Sequence, residues 1–202
     1  MTSELPPDID PETRCRLPMV DRATLSGPAA EIYDQHMAGT SQSLKGLHGP
    51  GGIRLHSPEL SAVARPYARY LRFESGLDGD LRELAILIAA READNNFEWS
   101  AHEGEAKKEG LPEGTIEAIR TRGPLDGLPE RDAALIRLGR EMFGDRKVSS
   151  KTYTAAHEVF GTRMLVDIVA LMGVYTSTAA ILTCFDMQLP EGEEPRLPKV
   201  QK

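Results

Sequence analysis

The chain has 202 residues, enough for one substantial domain with a hydrophobic core. Lys and Arg total 24 against 31 Asp and Glu, a net charge of -7, and the basic residues form no stripe, which argues against nucleic acid or an anionic membrane surface as a partner. Cys15 and Cys184 build no CxxC, zinc or disulfide framework, and the acidic start MTSELPPDIDPETR lacks the basic and apolar regions of a signal peptide, so a cytoplasmic location is expected.

Residues 1–23 are rich in Pro, Asp and Glu and short of apolar periodicity, and they are expected to form an extended arm. A single all-α domain is expected over 24–190, followed by a tail over 191–202. GPAAEIYDQHMAG, from Gly27, predicts a short helix with Pro28 in its first turn and an end at Gly39. The stretch GLHGPGG, Gly46 to Gly52, concentrates four glycines and a proline and predicts a loop, a hinge or a close backbone approach to a ligand. HSPELSAVARPYARYLRFE predicts a helix capped by Ser57, with Pro58 at its first position and a kink at Pro66.

GDLRELAILIAAREAD follows, apolar on every face from Leu84 to Ala90, and predicts a central buried helix. After the capping residues Asn95 and Asn96, a helix is expected over Phe97 to Glu109, with acids early, lysines late and Gly110 past its end. PEGTIEAIR predicts a short helix and PERDAALIRLGREMFGD an amphipathic one with Leu135, Leu138 and Met142 on one face. SSKTYTAAHEVFG and the segment Thr162 to Phe185 complete an array of roughly seven to nine helices without strand-like alternation. The apolar run Met164 to Phe185 approaches bilayer-spanning length, but it carries Asp167 and lacks basic flanks, so a core or subunit-interface helix is expected instead of a membrane span.

Three ionisable residues stand out in this pattern. Glu98 and His102 are four residues apart, about one helical turn, and therefore share a helix face. Glu83 lies in the first turn of the preceding helix, where the macrodipole alone would stabilise a carboxylate. Trp99, Phe97 and Tyr175 are candidates to line an apolar cavity, and His48 and His56 flank the glycine-rich loop. Two carboxylates with a histidine also make a divalent metal conceivable, although no second ExxxH supplies the pattern of a di-metal bundle.

The run LRELAILIAAREADNNFEWSAHEGEAKKEGLPEGTIEAI, Leu81 to Ile119, resembles the signature region of the carboxymuconolactone decarboxylase and alkylhydroperoxidase D superfamily. The resemblance implies an all-α array of the alkylhydroperoxidase D-like type, assembled as a homo-oligomer (dimer, trimer or hexamer), with its active site between helices near a subunit interface. In the peroxidase branch the motif is a glutamate, two cysteines with a histidine between them, and a further histidine. Laid on this chain, the glutamate falls on Glu83, the cysteines on Asn95 and Glu98, the intervening histidine on Phe97 and the last histidine on His102. Both thiols are absent, and a thiolate is the nucleophile that peroxide reduction requires.

The resemblance and the residues together lead to the expectation of a cofactor-independent enzyme, a decarboxylase, lyase or isomerase acting on a small organic acid, lactone or carbonyl compound. His102 would be the general acid/base, Glu98 its modulator or a second proton relay and Glu83 the orienting carboxylate, with Trp99, Phe97, His56 and Tyr175 contacting substrate. The alternatives are a peroxidase-like antioxidant protein and a non-catalytic oligomeric ligand-binding member of the fold.

Overall fold

The computed structural model describes residues 5–198, so the outermost four residues of the expected arm 1–23 and of the expected tail 191–202 lie outside the described residues. All regular structure among the described residues is helical. The chain forms two compact units, Met1–Arg69 with Ala180–Glu194, and Tyr70–Ala179 with Pro195–Lys202.

The first unit holds helices α1 (Gly27–Met37), α2 (Pro50–Leu55) and α3 (Pro58–Arg69). Val20, Leu25, Ala29, Ala30, Ile32 and Leu55 form its small core. The residues before α1 are tied to the 184–189 segment by backbone bonds: Arg16 N–H donates to the Phe185 carbonyl and Gln188 N–H to the Arg14 carbonyl, each at 2.9 Å. The glycine-rich stretch is only partly a loop, because Pro50, Gly51 and Gly52 wind into the first turn of α2. Gly49 supplies the extended cap and Pro50 a φ already suited to the first helical position, and burial of Ile53 and Leu55 outweighs the entropy cost of the glycines. His36, in the last turn of α1, has a buried Nδ1 without a partner, as does Nη1 of Arg65 on α3. Burial and the nearby Arg65 charge push the His36 imidazole down from 6.5 to about 4.

The second unit is built on α4 (Gly79–Glu92). Its residues Leu84 to Ala90 are apolar on every face, and every one of them is at most 1% exposed, so the helix is enclosed by its neighbours. Those neighbours include α5 (Asn96–Lys108), packed back against it, then α6 (Glu113–Thr121) and α7 (Glu130–Gly139). The final helix, α8 (Ser150–Cys184), breaks at Gly161, whose φ of 67° and ψ of 170° form a conformation essentially reserved for glycine. The break divides it into arms 150–160 and 162–184, as the sequence pattern predicts, and Ile168, Leu171 and Met172 of the second arm enter the core. By length and composition α8 is the one described helix apolar enough to cross a membrane, and 44% of its most apolar window is buried inside the protein.

Two windings are not anticipated by the sequence pattern. Tyr70–Glu74, directly after α3, and Arg140–Asp145, directly after α7, are wide π turns. Such turns widen a helix by one residue and recur at functional sites.

Gly139 sits where α7 meets α4. A methyl group added there would overlap Ile88 Cγ2 and press on Met172 Cε at 3.0 Å. Gly139→Ala is therefore expected to lower the denaturant midpoint, because overpacking costs about 1–3 kcal/mol against the roughly 1 kcal/mol that alanine gains over glycine in a helix. A double-mutant cycle with Ile88→Ala should return a favourable coupling, and strict additivity would show that the two sites do not collide.

In the first unit, the unfolded chain takes up a proton on His36 near pH 6.5 that the folded chain refuses until about pH 4. This contribution to stability is full above pH 6.5 and is lost as the pH falls toward 4. Thermal melts of His36→Gln should lose less stability than the native chain across that window, whereas parallel curves would refute the assignment.

Candidate active site

The second unit brings the three singled-out side chains together. Glu83 projects from the second turn of α4, not from the first as the sequence pattern suggests, and His102 from the middle of α5, and because these helices run antiparallel the two residues come level. His102 Nδ1 lies 2.8 Å from Glu83 Oε2. Glu98, one turn before His102 on α5, places Oε2 3.8 Å from His102 Nε2. All three are enclosed, with exposures of 1% for Glu83 and 4% for both Glu98 and His102.

The start of α5 is fixed locally. Asn95 caps it, its side-chain oxygen accepting the Glu98 N–H at 3.0 Å, while its amide nitrogen donates to the Ala179 carbonyl at 3.4 Å. Asp94 precedes it in a left-handed conformation with φ 50°, one that aspartate tolerates better than most residues. Position 95 is where the resemblance would put the first redox cysteine. Here it does the work of a helix cap.

A second ion pair holds Glu83 from the other side. Arg82 Nε donates to Glu83 Oε1 at 3.1 Å, and its Nη2 donates to Glu109 Oε1 at 2.9 Å. Burial pushes the Glu83 carboxyl up, but the bond and charge of His102 and the guanidinium of Arg82 together outweigh it and hold the group below the usual carboxylate range. An ionised Glu83 is an acceptor only, so the Nδ1 of His102 carries the proton and Nε2 faces Glu98.

Tyr175, on the second arm of α8, meets the His102 ring edge-on with centroids 5.1 Å apart. Burial pushes its hydroxyl well above the ordinary tyrosine value, so it stays protonated and can act as a donor. Trp99 is wholly buried in the core around α4, and its indole N–H has no hydrogen-bond partner. Phe97 is 5% exposed. His56 belongs to the first unit, where it caps the end of α2 and its Nε2 lies 3.0 Å from the Pro18 carbonyl oxygen. Cys15 and Cys184 also belong to that unit, the first buried and the second exposed.

Sequence reasoning overlooked Arg82 because adjacent residues on a helix ordinarily diverge. The only signal for it was its adjacency to Glu83. As for metal, no group of three or more His, Cys, Asp or Glu side chains among the described residues is arranged to hold an ion. What the cluster offers is a histidine with one nitrogen anchored by a carboxylate and the other available for proton transfer.

Because Glu83 titrates below its ordinary 4.5, it contributes stability that is present above that value and is lost as the pH falls through its lowered folded value. Glu83→Gln is expected to cost about 1–3 kcal/mol at neutral pH, by weakening a charge-assisted bond to a buried partner. In urea titrations the gap between native and variant should close below pH 4.5. A gap independent of pH would mean that Glu83 is not ionised in the fold.

Residues 58–138 match the model of the carboxymuconolactone decarboxylase family. No curated protein matches the chain. Among solved structures, a protein of unknown function from Agrobacterium tumefaciens, provisionally named an antioxidant defence protein AhpD, superposes with a TM-score of 0.61 at 21% identity, covering 68% of this chain and 94% of its own. That likeness is one of fold. The matched segment carries α4, α5 and with them Glu83, Glu98 and His102, so over residues 58–138 the chain is similar to the carboxymuconolactone decarboxylase family.

Proposed function

We propose that this protein is a cofactor-independent acid/base enzyme, a lyase or isomerase that moves a proton on a small organic acid, lactone or carbonyl compound. The observation that carries the reading is the 2.8 Å bond between Glu83 Oε2 and His102 Nδ1, with His102 Nε2 left facing a second carboxylate. Glu83 orients the ring and fixes its tautomer, so that Nε2 is the atom that accepts or returns the proton. In the decarboxylase version the carbon–carbon bonding electrons pass into an enolate as carbon dioxide leaves, and the imidazolium Nε2–H then protonates the carbon. The protonated Tyr175 hydroxyl is suited to bond the enolate oxygen. Glu98, at 3.8 Å from Nε2, is too far for a direct hydrogen bond and leaves room for a proton relay.

A peroxidase reading has less support, because Asn95 and Glu98 stand where its thiols would be and neither cysteine belongs to the unit that holds His102. Homo-oligomeric assembly and a cytoplasmic location are part of the proposal. Leu60, Val63 and Tyr67, spaced along one face of α3 and 45%, 68% and 51% exposed, support a partner copy, since an apolar stripe of this kind is unusual on a lone chain.

The test is carbon-bound hydrogen exchange in deuterium oxide, followed by NMR over a panel of small keto acids, lactones and enol acids, with carbon dioxide release measured in parallel. His102→Gln should lower turnover about 10²–10⁴-fold, the range typical of a lost general acid/base. The double variant Cys15→Ser, Cys184→Ser should leave it intact. Peroxide consumption that survives the histidine change and disappears with the serine pair would overturn the reading.

A further inference from the structure

Two guanidinium groups flank the ring of Phe73 in the second unit. The Arg72 guanidinium centre lies 4.6 Å from the ring centroid and that of Arg82 lies 5.7 Å from it. They are not equivalent. Arg82 is neutralised twice, by Glu83 and by Glu109, and its Nη1 also donates to the Arg72 carbonyl at 3.4 Å. Arg72 has no such partner: its Nε is shut away from solvent with nothing to bond, and no ion pair joins it to a carboxylate among the described residues. It stands on the π turn Tyr70–Glu74, directly after α3.

The backbone of Arg72 is tied to the acid/base cluster. Its carbonyl holds Arg82, Arg82 holds Glu83, and Glu83 holds His102. A guanidinium stacked on an aromatic face presents its donor edge sideways, and that planar edge matches a carboxylate with two parallel hydrogen bonds. We propose that Arg72 is the residue of this site that binds the carboxylate of a small organic acid, so that the substrate class is an anionic carboxylic acid and not a neutral carbonyl compound. This assignment rests on the acid/base reading of His102. The positive charge of Arg72 also acts on the Tyr175 hydroxyl, which burial raises and which Glu98 and Glu83 raise further, so Arg72 and the proton-transfer groups share one electrostatic field.

The experiment titrates the full-length chain with acetate, propionate and succinate, using the corresponding amides as uncharged controls. Binding is read from the His102 ring signals by NMR and from the fluorescence of the single tryptophan, Trp99, three residues from His102. The carboxylates are expected to bind and the amides not, and Arg72→Gln should weaken binding at least tenfold, as expected for loss of a charge-assisted pair. Arg72→Lys, which keeps the charge and loses the fork, should fall between the two and keeps the test open if the glutamine variant does not fold. His102→Gln should retain carboxylate binding. Equal binding of acids and amides, no binding of either, or unchanged affinity in both Arg72 variants would overturn the proposal. Arg72-dependent binding without any His102-dependent turnover would leave the carboxylate site standing while removing the acid/base function. Turnover with a KM indifferent to Arg72 would do the reverse.

Discussion

A carboxylate buried at the start of an apolar helix is the constraint around which the second unit is arranged. Removing an ionised carboxylate from water costs several kcal/mol unless charge and hydrogen bonds replace the lost solvation. Glu83, 1% exposed, receives both from opposite sides, His102 from α5 and Arg82 from its own helix. A one-turn slip of α5 along α4 would take the His102 donor away and leave the buried carboxylate with Arg82 of its own helix in place of two partners. The bond therefore fixes the register of the α4–α5 hairpin, and apolar packing alone would fix it less sharply, because Leu84 to Ala90 are greasy on all faces.

Much of this was legible in the sequence, for reasons that differ from element to element. The depth of α4 follows from apolar residues on every face, and the cap at Asn95 from the side-chain chemistry of asparagine. The pairing of Glu98 with His102 follows from helical spacing alone. The Glu83–His102 bond was not legible because it crosses between helices, and its register depends on a left-handed Asp94 that no periodicity reports. GLHGPGG has the composition of a loop, yet Pro50 starts a helix inside it. A proline at the first helical position preorganises the backbone, and buried Ile53 and Leu55 supply the stabilisation that the four glycines do not. The π turn that carries Arg72 gave no signal, because an extra residue in a helix is a packing solution and not a pattern.

One half of the motif seen in the peroxidase branch has counterparts in this chain and the other half does not. Glu83 and His102 occupy the glutamate and distal histidine positions, and the structure joins them directly. At the thiol positions stand Asn95, now satisfying the backbone of α5, and Glu98, a buried carboxylate beside Nε2. A cap and an acid at those positions are what the proposed acid/base reading uses, since a histidine anchored on a carboxylate needs no sulfur to act as a base.

The same anchoring bears on the proton transfer proposed for His102. An imidazolium formed in an apolar core without a counter-charge would carry the full desolvation penalty, which would raise the barrier to the proton transfer it is meant to assist. In the proposed reaction the positive charge would form 2.8 Å from an ionised Glu83, with Glu98 on the opposite nitrogen. Arg82, bound to Glu109 as well as Glu83, keeps the carboxylate from being overcommitted to one partner. Little reorganisation would then be required if the proton moves, which is the condition for electrostatic catalysis in a closed site. On the proposed reading Glu83 couples stability to chemistry: a neutral residue there would loosen the hairpin register and, in the same step, free the histidine tautomer on which the proposed proton transfer depends.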